Sequence, residues 1–280
     1  MSSLTPQRIL ELEEIARQLR KDSLRFIHRR GSGHPGGALS AAEIMTVLYF
    51  HIMRIDPARP DWEDRDRFIL SKGHASAVLY AALTRRGFFP VSEMENWGEI
   101  DCPHQGHPDR LKTPGVDMTS GLLGHGVAVG SGLALAARLK NLDYRTYVLL
   151  GDGESQGGIV WEGAAVAAKY HLAKLTCILD CNDVQLDGPV HEVMPMEPWD
   201  KKWQAAGWHV LEINGHDILE VVEALRVAAQ IHDKPTMVIA RTTKGKGVSF
   251  MENNSFWHGN VPNADQMKQA LTELGEVNHG

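Results

Sequence analysis

The chain has 280 residues, 43% hydrophobic and 23% charged, with 29 basic against 35 acidic side chains. That is ordinary globular composition, and the formal charge of −6 argues against a nucleic-acid binder, which carries a basic surplus. Three cysteines (Cys102, Cys177, Cys181) without paired spacing argue against a disulfide framework, and the absence of an apolar leader or of any apolar run of about eighteen residues argues against a secreted or membrane protein; a cytoplasmic chain with no membrane or nucleic-acid partner is expected.

In chain order, Ile9, Leu12, Ile15, Leu19, Leu24 and Ile27 recur at helical spacing over 7–30, and basic residues followed by Gly31 suit a helix end. A glycine loop with Pro35 follows, then a helix over 40–51, a charged loop over 54–66, a short strand at 67–70 and a helix over 75–86. Residues 87–123 show little periodicity and many turn signals, and read as a long functional loop. A helix rich in Ala and Gly over 127–139 is suited to tight packing. A strand at 147–150, a helix over 158–171 and a strand at 175–179 form a βαβ unit. A strand at 208–213, a helix over 218–231, a strand at 236–240, a loop over 244–263 and a helix over 266–274 complete the chain. With no repeat and no linker, the alternation predicts a single domain over 1–280, a doubly wound α/β fold with a mainly parallel sheet flanked by helices.

The most informative motif is Gly151-Asp152-Gly153, which follows the apolar run 147–150 directly. A strand running into a glycine loop and a helix is a phosphate cradle, but a carboxylate between the glycines repels naked phosphate. A hard divalent cation between the two resolves the conflict, and Mg²⁺ is commonly shared between a carboxylate and substrate phosphates. Asn182 lies thirty residues past Asp152, just beyond the next strand. The crossover makes the two strands parallel, so Asp152 and Asn182 emerge at the same sheet edge, where open α/β sheets bind ligands.

Other patterns compete. Gly31, Gly33 and Gly36 match a dinucleotide fingerprint literally but follow a helix; Gly124, Gly126 and Gly130 follow an irregular stretch. Gly151, Gly153 and Gly157 have the right context, and Asp180 ends the next strand where a ribose-binding acid sits, so an NAD-dependent dehydrogenase is the rival reading. Among 14 histidines, His34, His74, His107 and His258 lie in glycine-rich loops, placed to approach a ligand and to move protons. Cys102, His104 and His107 lack a complementary pair at structural-zinc spacing. Lys244 and Lys246 lack phosphate-loop spacing and read as a mobile surface loop; Trp161 and Trp203 read as packing residues.

Taken together, G-S-G-H-P-G-G, S-K-G-H, G-H-P-D-R with T-P-G-V-D, S-G-L-L-G-H-G, G-D-G…N and K-G-K-G-V-S-F-M-E-N-N…W-H-G occur in an order that resembles the N-terminal, thiamine-diphosphate-binding half of transketolase over nearly the whole chain, most closely the separate N-terminal subunit of split transketolases. The resemblance implies the thiamine-diphosphate-binding fold of PP type. It implies Mg²⁺ on Asp152, Asn182 and the Val184 carbonyl, and the diphosphate on the Gly153 N–H, His74 and His258. It further implies the aminopyrimidine on the Gly121 backbone and Leu123 near the thiazolium. His34 and His258 would handle the donor's hydroxyl proton, and His107 would hold its C1 hydroxyl. The implied reaction moves a two-carbon glycolaldehyde unit from a ketose phosphate to an aldose, xylulose 5-phosphate being the family default donor.

The glutamate that activates the pyrimidine, and most sugar-phosphate ligands, belong in this family to a second domain. The resemblance therefore implies a separate C-terminal subunit, as an α2β2 assembly, without which the chain is inactive. Two departures stand out: Gly157 occupies a position where the family often has a glutamate that couples the two sites across the dimer, and Asn182 is flanked by Cys181 and Asp183 rather than by tyrosine and a non-acidic residue. A non-catalytic transketolase-like subunit and a 1-deoxyxylulose-5-phosphate synthase are the remaining alternatives; the S-K-G-H and W-H-G loops fit the latter less well.

Overall fold

The computed structural model describes residues 4–276. In chain order the helices and strands are α1 (Pro6–Arg30), α2 (Pro35–Ser40), α3 (Ala42–Val47), a π turn (Leu48–Ile52), β1 (Arg67–Leu70), α4 (Ser76–Arg86), α5 (His125–Leu139), β2 (Thr146–Gly151), α6 (Gly158–Lys169), β3 (Leu175–Cys181), α7 (Val190–Val193), α8 (Trp199–Ala205), β4 (His209–Asn214), α9 (Ile218–Gln230), β5 (Thr236–Arg241) and α10 (Ala264–Glu273). Short 3₁₀ turns at Gly73–Ala75, Glu154–Gln156 and Ser255–His258 sit at the ends of loops that carry motif residues.

The strands form one five-stranded sheet in the order β1-β2-β3-β5-β4, and every pairing is parallel. Alternate side chains face opposite layers, as a strand's two-residue period requires. Phe68, Leu70, Tyr147, Leu149, Ile178, Val238 and Ala240 pack with α1, α3, α4 and α9; Ile69, Val148, Leu150, Cys177, Leu179, Met237 and Ile239 pack with α5, α6 and the Trp199–Trp203–Trp208 group. With both faces covered, β2 and β3 are buried almost throughout, which is why they read as continuous apolar runs. The expected tight packing of α5 is real. A methyl group at Gly163 of α6 would lie 2.8 Å from the backbone nitrogen of Ala128, so the two helices touch backbone to backbone.

One expected element is divided. In place of a helix over 40–51, α2 begins at Pro35, whose fixed φ suits the first helical turn, and the chain re-enters helix at Ala42 before the π turn. Ser40, at the break, turns its hydroxyl onto the Gly37 carbonyl and the Asp180 carboxylate (2.6 Å). The loop after β5 is also firmer than expected. Val248, Met251 and Trp257 form a third apolar cluster with Leu24 of α1 and with Met267, Ala270 and Leu274, pinning that loop over the sheet's C-terminal edge. No helix among the described residues is long and apolar enough to cross a membrane.

Candidate active site

Gly151 of β2 lies beside Asp180 of β3, so Asp152 and Asn182 leave the sheet next to each other at its C-terminal edge. The Asp152 carboxylate is buried, and its oxygens accept backbone N–H groups from Gly153 (2.7 Å) and Asp183 (2.6 Å). The Asn182 amide oxygen accepts the Val184 N–H (3.2 Å), while its amide nitrogen donates to Asp180 (3.1 Å). The Val184 carbonyl takes the Lys244 ammonium at 2.7 Å. These groups line one cavity of about 240 Å³ together with Gly153, Lys72, His74, Leu123 and His258.

The donor set suits a hard cation. Burial, reinforced by the charge of Asp180, pushes the Asp152 carboxyl up to about 6, and the Lys244 ammonium offsets this only in part. An amide oxygen and a backbone carbonyl stand beside it. Among the described residues no three His, Cys, Asp or Glu side chains converge on a metal position. A cation held here would take carboxylate, amide and carbonyl oxygens and would need further oxygens from a ligand, the pattern of Mg²⁺ shared with a diphosphate. Positive charge is already drawn to the spot. Burial lowers the Lys244 ammonium to about 8, and the neighbouring Asp152 opposes that fall.

His34, His74 and His258, far apart in sequence, meet over this cavity. Their ring centroids lie 5.1 Å (His34–His74), 5.4 Å (His34–His258) and 5.0 Å (His74–His258) apart. Burial, then the charges of His107, Lys244 and Arg30, lowers His34 to about 4; burial and Lys244 lower His258 to about 3; burial and Lys72 hold His74 well below the usual range. All three are neutral at neutral pH. The expected result of an NMR titration is that the ring C–H resonances of His34 and His258 keep their neutral positions from pH 8 down to about 5. A midpoint near the ordinary value of about 6.5 would contradict this arrangement. His107 is exposed and near enough for its charge to act on His34; a methyl group at Gly121 would touch its ring at 3.5 Å. Leu123 is half-exposed at the rim.

Beneath the rim lies a layer that the motifs did not announce. Asp180 is fully buried. It accepts from Ser40, Asn182, Lys72 and Thr242, and Lys72 also donates to the Gly37 carbonyl at 2.8 Å. Burial pushes the Asp180 carboxyl up, and the charge and hydrogen bond of Lys72, with those of Ser40 and Thr242, bring it below its ordinary range. A ribose cannot reach this carboxylate, so the reading of Asp180 as a ribose-binding acid is corrected. Lys244, expected on a mobile surface loop, is 2% exposed and faces the cavity. Glu154 is buried too. One oxygen accepts the Ser71 hydroxyl and the Gly124 N–H (2.6 Å), and the other accepts the Gly151 N–H (3.0 Å), tying the end of β1, the loop before α5 and the Asp152 loop together. Lysine and glutamate read as surface residues in a sequence unless their partners are known. The one available signal was that each lies within two residues of a motif glycine.

Two further readings resolve locally. The Asp183 carboxylate pairs with His191 in an exposed position, so the extra acid beside Asn182 turns outward. His104 stacks on Phe89 (centroids 4.0 Å apart) and bonds Glu93 at 2.9 Å, while Trp161 packs on Trp203. Gly157 caps the start of α6 and presents no side chain there.

The sequence matches the Transketolase_N family, "Transketolase, thiamine diphosphate binding domain", over residues 12–279. It is 40% identical over 265 residues to an apulose-4-phosphate transketolase subunit of Phocaeicola vulgatus, covering 95% of this chain and 94% of that protein. It is likewise 40% identical to the 6-deoxy-6-sulfo-D-fructose transketolase subunit SqwG of a Clostridium species, with coverage of 95% and 96%. Human transketolase is 37% identical over 269 residues, of which this chain spans only 42% of the length. The Campylobacter jejuni transketolase structure superposes with a TM-score of 0.90 at 35% identity, over 95% of this chain and 43% of that one. With the match running almost end to end in sequence and in fold, the chain belongs to the transketolase family and carries its thiamine diphosphate binding domain.

Proposed function

We propose that this chain is the cofactor-binding subunit of a two-subunit transketolase that moves a two-carbon ketol unit from a ketose phosphate to an aldose. The observation that carries the reading is the meeting of the Asp152 carboxylate, the Asn182 amide and the Val184 carbonyl in the same cavity as His74 and His258. Asp152, Asn182 and Val184 hold Mg²⁺; the Gly153 N–H, His74 and His258 hold the diphosphate; Gly121 and Leu123 receive the pyrimidine and thiazolium ends. Thiamine diphosphate, when bound, supplies the electron sink for cleaving a carbon–carbon bond beside a carbonyl.

The residues of the chain divide the remaining work. Lys244, charged at neutral pH, donates to His258 Nδ1 at 2.8 Å, so a neutral His258 carries its proton on Nε2 and acts as a donor. His34, neutral and with no such donor among the described residues, is the better acceptor for the C3 hydroxyl proton of the ketose. His107, beside Gly121, holds the C1 hydroxyl. The two subunit-type relatives are named for ketoses that carry a phosphate or a sulfonate, which supports an anionic ketose as the substrate class. Three buried, unpaired cysteines suit the reducing cytoplasm.

The pyrimidine-activating glutamate and most sugar-phosphate ligands come from a C-terminal subunit, in an α2β2 assembly. The expected result is that the purified chain with thiamine diphosphate and Mg²⁺ shows no ketol transfer, and that adding the C-terminal subunit raises the rate by at least about a thousandfold, the scale of a lost catalytic group. Full turnover by the chain alone, or a complex that binds the cofactor and never cleaves a ketose phosphate, would contradict the reading. The second outcome would favour a non-catalytic subunit, to which the bare Gly157 position lends its support.

A further inference from the structure

β4 and β5 end side by side at Asn214 and Arg241. One more ladder bond follows, from the Gly215 N–H to the Arg241 carbonyl at 2.8 Å. The next donor on the β5 side, the Thr243 N–H, goes instead to a side chain: it donates to His216 Nε2 at 2.8 Å. Gly215 lets the turn come this close, since a methyl group there would fall 2.5 Å from Thr242 Cγ2.

These partners fix the ring's proton. A peptide N–H only donates, so Nε2 accepts, and the proton of the ring sits on Nδ1. Nδ1 lies 3.0 Å from a Glu43 carboxylate oxygen, and an ionised carboxylate only accepts. The Arg20 guanidinium grips both Glu43 oxygens at 2.6 Å each and reaches the Leu39 carbonyl at 3.1 Å. Arg20 and Glu43 are both buried. Burial pushes the Glu43 carboxyl up, but the Arg20 charge and the hydrogen bonds from His216 and Arg20 bring it down to about 2. A doubly protonated ring would face Thr243 donor to donor.

The peptide held in this way leads directly into the cavity. Residues 242–244 are tied one after another. The Thr242 hydroxyl donates to Asp180, the Thr243 N–H to His216, and the Lys244 ammonium to the Val184 carbonyl (2.7 Å) and His258 Nδ1 (2.8 Å). The Lys244 stem runs close over Gly36, where a methyl group would fall 2.9 Å from Lys244 Cγ, and the Gly245 N–H reaches the Gly36 carbonyl at 3.0 Å. Take away the acceptor at His216, and the Thr243 peptide turns to find another partner, carrying Lys244 with it.

We propose that His216 is a positioning residue for the active site: its Nε2, kept an acceptor by the Glu43–Arg20 pair, orients the Thr243 peptide and so aims Lys244 at His258 and the Val184 carbonyl. The consequence for turnover rests on the ketol-transfer reading above; the placement itself belongs to the chain without cofactor.

Two substitutions separate the acceptor from the ion pair. Asparagine puts its amide where Nδ1 stands and still donates to Glu43, but falls short of Thr243; glutamine reaches the position of Nε2 and keeps the acceptor. In the cofactor-free chain at neutral pH, hydrogen exchange at the Thr243 amide is expected to quicken about tenfold or more in His216→Asn and to stay within about threefold of the parent in His216→Gln. Ring-nitrogen NMR is expected to find the parent's His216 protonated on Nδ1 and its His258 on Nε2, with His258 in both tautomers in His216→Asn. In the complex with the C-terminal subunit, thiamine diphosphate and Mg²⁺, kcat is expected to fall at least about tenfold in His216→Asn, most of it recovered in His216→Gln. Slow Thr243 exchange with an unmoved His258 tautomer in a folded His216→Asn chain would overturn the assignment. So would the opposite ranking of the two variants, which would leave His216 only as a partner of Glu43. If the His216→Asn chain does not fold, the parent spectrum decides: a proton on His216 Nε2 sinks the proposal. A parent complex that transfers no ketol group counts instead against the function proposed above.

Discussion

Asp152→Ala is expected to lower Mg²⁺-dependent affinity for thiamine diphosphate by at least about a hundredfold, since even an outer-shell change at a metal site typically costs 10–100-fold. The substitution removes the one carboxylate among the proposed metal ligands and leaves an amide and a carbonyl, too little charge to hold a cation against the diphosphate. The fold should survive. Asp152 is buried with its ionised form disfavoured, so its loss removes a poorly compensated charge and leaves only the N–H groups of Gly153 and Asp183 to find new partners. Calorimetric titration with and without Mg²⁺, alongside a thermal melt of the variant, separates the two effects. Unchanged binding in a folded variant would remove Asp152 from the site.

Asp180→Ala is expected to act the other way, on stability first. It strands the Lys72 ammonium, 2% exposed, and takes the shared acceptor from Ser40, Asn182 and Thr242. Removing one partner of a buried ion pair costs about 3–5 kcal/mol because the other charge stays buried. The double variant Asp180→Ala, Lys72→Met should recover part of that loss, since the stranded charge is then gone too. Urea unfolding of the parent, both single variants and the double variant measures the cycle. A destabilisation below about 1 kcal/mol for Asp180→Ala would mean that the pair is not the support beneath the Asn182 rim.

Much of this architecture is legible in the residues alone. The apolar runs of β2 and β3 and the glycine loop between them point to a parallel βαβ unit, and the chemistry of a carboxylate in a phosphate loop points to a cation. The structure places Asp152 and Asn182 at one edge and brings His34, His74 and His258 together, as their glycine-rich settings suggest. The layer below is not legible. Asp180, Lys72, Glu154 and Lys244 are charged residues whose burial depends on partners from distant segments, and no periodicity encodes such a meeting. The division of the expected helix over 40–51 is hidden for a related reason: a buried hydroxyl at Ser40 serves Asp180, a contact 140 positions away. The loop after β5 reads as mobile because its glycines and lysines are visible, while its anchors, Val248, Met251 and Trp257, find their partners only in α1, α2 and the chain's last helix and turn.

The central claim is a divalent cation clasped between β2 and β3. Its most direct test is a crystal of this chain grown with thiamine diphosphate and Mn²⁺ in place of Mg²⁺, read by anomalous scattering. The account predicts a single strong peak within about 2.0–2.3 Å of an Asp152 carboxylate oxygen, the Asn182 amide oxygen and the Val184 carbonyl, with diphosphate oxygens completing the shell. A peak elsewhere, or a cofactor bound in that cavity with no metal between it and Asp152, would contradict it.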